Sequence, residues 1–206
     1  MAEQPELLIP DAGAWREWLR AHHEDPTGVW LVLAKKAALA HPDPPTTLTY
    51  AEALDEALCH GWIDGQARRR DELTVFQRYT PRHSRSPWSA RNVGYVARLV
   101  DEGRMQAAGL AEVARAKADG RWDAAYAPQA KAEVPPDLAQ ALAANPKAKA
   151  FFETLKGANR YAVLYRIHDA KTAATRAARI EKFVAMLARG ETVYPARRSA
   201  SSSEMS

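Results

Sequence analysis

"WIDGQARRRDELTVFQRYT", residues 62–80, decides the fold. Two runs rich in aromatic and β-branched residues, "WIDGQA" and "TVFQRYT", flank the polar "RRRDE". That pattern reads as two strands joined by a turn, with a connection longer than a tight two-residue hairpin. Upstream, "GVWLVLAKK" (28–36) is an apolar run too short for a typical helix, so it reads as a third, buried strand. Three neighbouring strands of this kind predict a small antiparallel sheet.

Helical signals surround the strands. Asp11 stands where it can cap a helix that carries Trp15, Trp18, Leu19 and His22 along one face. "ALAHPDPPTT" (38–47) reads as a loop. Thr49 and Glu52 have capping-box spacing, Ala53, Leu54, Ala57 and Leu58 follow in core register, and Gly61 ends the helix. "PRHSRSPWS" (81–89) is a loop, and Ser89 caps a helix over 90–102 with Val93, Val96, Ala97 and Val100 inward. A further helix over 106–118 is expected to bury Leu110, Val113 and Ala114 and to stop at Gly120.

After "YAPQAKAEVPP" (126–136) the chain reads as helical throughout. The last helix, 172–189, holds Ile180, Phe183, Val184 and Leu187 in core register before Gly190. "RRSASSSEMS" (197–206) has the composition of a disordered tail. The expected class is α+β: a small antiparallel sheet packed with helices, then an all-α C-terminal module. The expected organisation is an α+β region at 1–130, a helical module at 131–190 and a tail at 191–206.

The 206 residues are 47% hydrophobic and 26% charged, ordinary for a globular chain, with a formal charge of +4. A single cysteine cannot form an internal disulfide, which favours a reducing compartment. The N-terminus lacks the basic start and apolar run of a secretory signal, and no stretch reaches the roughly 20 apolar residues of a membrane span. A cytoplasmic protein is expected.

The adjacent Cys59 and His60 point about 100° apart if both lie on a helix. They are poorly arranged to activate each other, and a small buried cysteine is the expected reading. The six histidines are scattered with no metal-ligand spacing, so neither a metal nor a cofactor is expected. Strand alternation puts Trp62 and Asp64 on one face, a wall and a hydrogen-bonding floor, although Asp64 between two glycines also suits a turn. Lys35, Lys36 and Arg78 are the cations nearest to hand. "RYTPRHSRSPWSARN" (78–92) groups four arginines with hydroxyls and aromatics, which suits a phosphate or carboxylate. Residues 61–100 hold eight arginines against Asp64, Asp71 and Glu72. The expected ligand site is Lys35, Lys36, Trp62, Asp64, Arg78, Thr80, Arg82, Ser86, Trp88, Ser89 and Asn92. No catalytic residue is assigned.

Several stretches resemble the YdeI/OmpD-associated family: "GVWLVLAKK", "LTYAEALDEALCHGWIDG", "RYTPRHSRSPWS", "GRMQAAGLAEVARAKADGRWDAAY" and "TRAARIEKFVAMLARG". The likeness spans roughly 15–190, and 136–190 resembles the family's helical OmdA-type module. His60 departs from the aromatic residue expected before "GWIDG". The resemblance implies a bacteriocin-protection role, tied to tolerance of antimicrobial peptides, and supplies no reaction. Together these readings favour a stress-protection protein binding a small anionic or aromatic molecule, or an acidic peptide group. The alternatives are an enzyme using Asp64 with the arginines, or a nucleic-acid binder, for which no recognised motif is present. The oligomeric state is left open.

Overall fold

The computed structural model describes residues 6–195 and divides the chain into two compact units, one ending at Ala125 and the next beginning at Tyr126. The first unit runs β1 (Glu6–Leu7), α1 (Ala12–His22), β2 (Val29–Ala34), α2 (Lys36–Leu39), α3 (Tyr50–Cys59), β3 (Trp62–Arg69), β4 (Thr74–Pro81), α4 (Ala90–Asp101) and α5 (Ala107–Ala118). The second holds α6 (Pro136–Ala143), α7 (Pro146–Thr154), α8 (Gly157–His168) and α9 (Ala173–Ala188). The architecture is α+β.

The 62–80 stretch folds as an antiparallel hairpin, closed by Asp71. Its Oδ1 accepts from the Leu73 and Thr74 amides at 2.9 and 2.6 Å, and Oδ2 from the Thr74 hydroxyl at 2.7 Å. This is the local side-chain turn that aspartate favours. The sheet order is β1-β2-β4-β3, with Leu31 opposite Gln77 and Asp64 opposite Tyr79. β3 carries a bulge between Asp64 and Ala67. The sheet is mixed, not purely antiparallel: the two-residue β1 pairs parallel with β2, because α1 crosses over between them. A four-residue helix, α2, also occupies part of the proline-rich stretch read as loop.

The caps form as their spacing requires. The Asp11 side chain accepts from Ala14 N, Thr49 and Glu52 close a reciprocal capping box, and Ser89 accepts from Asn92 N. α3 lies between two apolar clusters. Ala53 and Ala57 meet Trp15, Leu19, Leu31, Leu33, Trp62 and Tyr79 over the sheet, while Leu54, Leu58 and Cys59 meet α4 and α5.

The phases of α4 and α5 differ from the expected ones. α4 buries Asn92, Val96 and Leu99 and leaves Val100 48% exposed; α5 buries Gly109, Val113 and Ala116 and leaves Leu110 46% exposed. Both helices carry apolar residues on more than one side, so periodicity alone does not choose the buried stripe. Close approach does. Gln106 N donates to Cys59 O at 3.0 Å, and a Cβ on Gly109 would strike the Cys59 carbonyl oxygen and lie 2.9 Å from that of Leu58. Gly109→Ala is therefore expected to destabilise by about 1–3 kcal/mol, because backbone must move to admit the methyl. Thermal denaturation followed by circular dichroism checks this; an unchanged midpoint contradicts the packing.

The second unit packs Leu138, Leu142, Phe152, Val163, Ile167, Ile180, Phe183 and Leu187 into one core, with Val184 at its edge. Residues 191–195, expected to open the tail, are fixed at Tyr194. Its amide donates to Asn159 Oδ1 at 2.8 Å and its carbonyl accepts from Asn159 Nδ2 at 3.2 Å. The rest of the expected tail, 196–206, lies outside the described residues.

Candidate functional site

Most residues of the expected cleft serve the fold. Trp62 is 0% exposed, wedged against Trp15 and Trp18, with its indole nitrogen donating to His23 O at 2.8 Å. It is a core residue and presents no wall. Trp88, 2% exposed, packs on Trp122 with ring centroids 4.8 Å apart. Arg82, 5% exposed, stacks its guanidinium 3.6 Å over the Trp88 ring and donates to Pro87 O. Ser86 Oγ accepts from His83 N, and Ser86 O accepts from Arg121. Ser89 is the α4 cap, and Asn92 is buried behind it. The loop 82–89 is thus a closed structure that seats the start of α4.

The strand-end cations also have structural partners. Arg78 donates to Thr27 O and Tyr79 O, tying β4 to the turn before β2. The Lys35 ammonium donates to Asp71 O in the hairpin turn, while Lys36 is exposed at the start of α2. Thr80 sits opposite Ile63 on the ladder. None of these four is brought to Asp64 by a hydrogen bond or ion pair among the described residues.

Asp64 instead meets a residue of α3. Its Oδ2 accepts from the Tyr50 hydroxyl at 2.8 Å. Burial, then the bond to Asp64, pushes the Tyr50 phenol well above its ordinary range, so it stays a donor. Across the ladder lies Tyr79, 0% exposed, whose hydroxyl has no hydrogen-bond partner among the described residues. Burial and the fields of Asp64 and Tyr50 hold that phenol protonated. An unmade buried bond of this type costs about 1–3 kcal/mol. In the first turn of α4, Arg91 Nε donates to the Tyr95 hydroxyl at 2.7 Å. That bond chiefly raises the guanidinium, and Tyr50 and Asp64 add smaller contributions through space.

β3, β4, α3 and α4 therefore converge on a polar corner: Asp64, Tyr50, Tyr79, Arg91 and Tyr95. Of the expected site residues, only Asp64 belongs to it. Tyr50 carried a faint signal, being a polar aromatic directly after the Thr49 cap on an otherwise apolar helix. Tyr79 and Arg91 lie in the 78–92 run that stood out as a whole, whereas Tyr95 carried no signal that separates it from core aromatics.

Cys59 is 1% exposed, and its thiol is pushed up to about 11, first by burial and then by Glu56. It stays protonated near neutrality and packs with the α4 and α5 side chains. His60 Nδ1 bonds the Glu56 carbonyl oxygen at 3.0 Å. Among the described residues, no group of three or more His, Cys, Asp or Glu is placed to hold a metal ion. No helix among them is long and apolar enough to cross a membrane.

The fold defines a two-unit protein: an α+β unit with a polar corner beside its sheet, and a four-helix unit. The chain belongs to the family described as Domain of unknown function (DUF8412), whose model matches residues 7–112. Residues 131–190 match the OmdA family, described as Bacteriocin-protection, YdeI or OmpD-Associated. The OmdA likeness thus resides in the C-terminal unit, and the region before it falls largely under a different family model. No curated protein and no solved structure matches the chain.

Proposed function

We propose that this chain is a bacteriocin-protection-type protein that works by binding a small molecule, and that the Asp64 corner is its binding site. The description of the family matched by residues 131–190 supports the first part. One observation carries the second: a carboxylate held by Tyr50 stands opposite a fully buried tyrosine hydroxyl that lacks an acceptor. A ligand would give a donor to Asp64 and an acceptor to the tyrosines, with Arg91 favouring an anionic group. The anionic ligand expected from the arginine cluster fits Arg91 better than Arg78 or Arg82, whose guanidinium groups are engaged by the fold.

An enzymatic reading gains nothing from Cys59, which is buried and protonated. A nucleic-acid reading gains little from the basic hairpin, because Arg68, Arg69 and Arg70 pair with Glu6, Glu72 and Asp71. Ligand-detected NMR against a panel of small carboxylates and amino acids tests the proposal. For a hit that perturbs the Asp64 corner, Asp64→Asn is expected to weaken binding by about tenfold or more, roughly the 1.4 kcal/mol of one charge-assisted bond, with little change in melting temperature. A panel in which no hit is weakened by Asp64→Asn or Arg91→Ala overturns it.

A further inference from the structure

The second unit holds a groove that the reading above does not use. One wall is a stripe of α8: Tyr161, Leu164, Tyr165 and His168 recur at helical spacing. The rest of the lining comes from Tyr126 and Ala127, from residues 132–136 beyond a short 3-10 turn (Gln129–Lys131), and from Arg176 of α9. The space measures about 280 Å³. That is near the lower limit of small-molecule sites, roughly 300 Å³, so it suits an occupant of one or two fused rings.

Aromatic side chains dominate the lining. Tyr126 meets Tyr165 edge-on, with centroids 5.0 Å apart and planes at 83°, and Tyr161 lies 5.8 Å from Tyr165 at 32°. None of the three belongs to the apolar core of the unit, and each keeps part of its surface open. Rings displayed in this way leave faces and edges for another ring to pack on. Burial, then the neighbouring tyrosines, raises the Tyr161 phenol to about 12, so it remains protonated near neutrality. The Tyr161 hydroxyl donates to Ala127 O at 3.2 Å, whereas that of Tyr165 has no hydrogen-bond partner among the described residues.

Charge selects further. Residues 126–195 carry eleven Lys and Arg against six Asp and Glu, an excess of five, although one of the six, Glu133, lines the groove itself. Arg176, which lines the groove, is neutralised by Asp137 through two bonds of 2.5 and 2.9 Å. The attraction for an anion is therefore the summed field of the unit's lysines and arginines, rather than one fixed ion pair.

We infer that this groove is a binding site for a small aromatic carboxylate, its ring packed among Tyr126, Tyr161 and Tyr165 and its anionic end toward His168 and Arg176. The site lies within the second unit and is independent of the Asp64 corner.

Benzoate and 4-hydroxybenzoate titrated into the ¹⁵N-labelled full chain are the probes, with hexanoate and benzyl alcohol as controls for ring and charge. Saturable amide shifts confined to residues 126–136 and 161–168 are expected, with both controls weaker. Tyr165→Ala is expected to reduce benzoate affinity by at least about tenfold, as truncating a central aromatic contact does. Tyr165→Phe should retain most of the affinity, which separates lost packing from misfolding, and Asp64→Asn should leave these shifts unchanged. Shifts elsewhere, no shifts at millimolar ligand, hexanoate or benzyl alcohol binding as well as benzoate, or full affinity in Tyr165→Ala each overturn the assignment.

Discussion

Glu56→Ala is expected to lower the unfolding free energy by about 3 kcal/mol, the lower end of the 3–5 kcal/mol seen when one member of a buried ion pair is removed. Glu56 is 3% exposed and accepts from Arg16 Nε and Nη2 at 2.9 and 2.7 Å and from Arg104 Nη2 at 2.7 Å. It joins α1, α3 and the turn after α4. The lower figure is appropriate because the Arg16 and Arg104 side chains are 51% and 33% exposed, so both can turn to water once the carboxylate is gone.

The pH dependence follows from the balance at this carboxyl. Burial raises it, but the hydrogen bonds and charges of Arg16 and Arg104 outweigh burial and hold it below the ordinary range. Its contribution is therefore fully present above the unfolded value, about 4.3, and is lost as pH falls through the folded one. Urea denaturation at pH 7 and near pH 3 should show the gap between parent and Glu56→Gln narrowing in acid. A gap that is constant with pH would mean the carboxylate charge is not what stabilises.

Trp62→Ala is expected to cost about 3–5 kcal/mol, as for other large aromatic truncations in a core. The ring meets Trp15 at 6.2 Å and Trp18 at 5.7 Å, both near perpendicular, and its nitrogen holds the chain end of α1 through His23 O. Truncation leaves a cavity between α1 and the sheet and an unfilled carbonyl. Had Trp62 been the wall of an open cleft, the variant would fold normally and lose only ligand. Denaturant unfolding with near-ultraviolet dichroism distinguishes the two: a parent-like midpoint contradicts the core placement.

The candidate site was less legible than the fold around it. Asp64 could be singled out because an aspartate between glycines in a strand-like run is unusual. Its partner, Tyr50, lies fourteen residues away on a preceding helix, and Arg91 lies on a following one. The dense polar run 78–92 looked like a site because hydroxyls and guanidinium groups also serve as caps, stacking partners and loop ties. In the structure, that is the use Arg82, Ser86 and Ser89 find.

By itself the sequence determined the elements whose cause is local. The Thr49–Glu52 box, the Asp11 and Ser89 caps, the Gly61 and Gly190 stops and the two strands around Asp71 depend on groups a few residues apart, so spacing specifies them. Only the tertiary structure decided which face of α4 and α5 is buried, that Trp62 and Trp88 are core, and that Glu56 pairs with Arg16 forty residues earlier. These outcomes are set by close packing between distant segments, as where Gly109 lets α5 lie against the end of α3. A helix with apolar residues on several sides has no preferred phase until a neighbour excludes all but one.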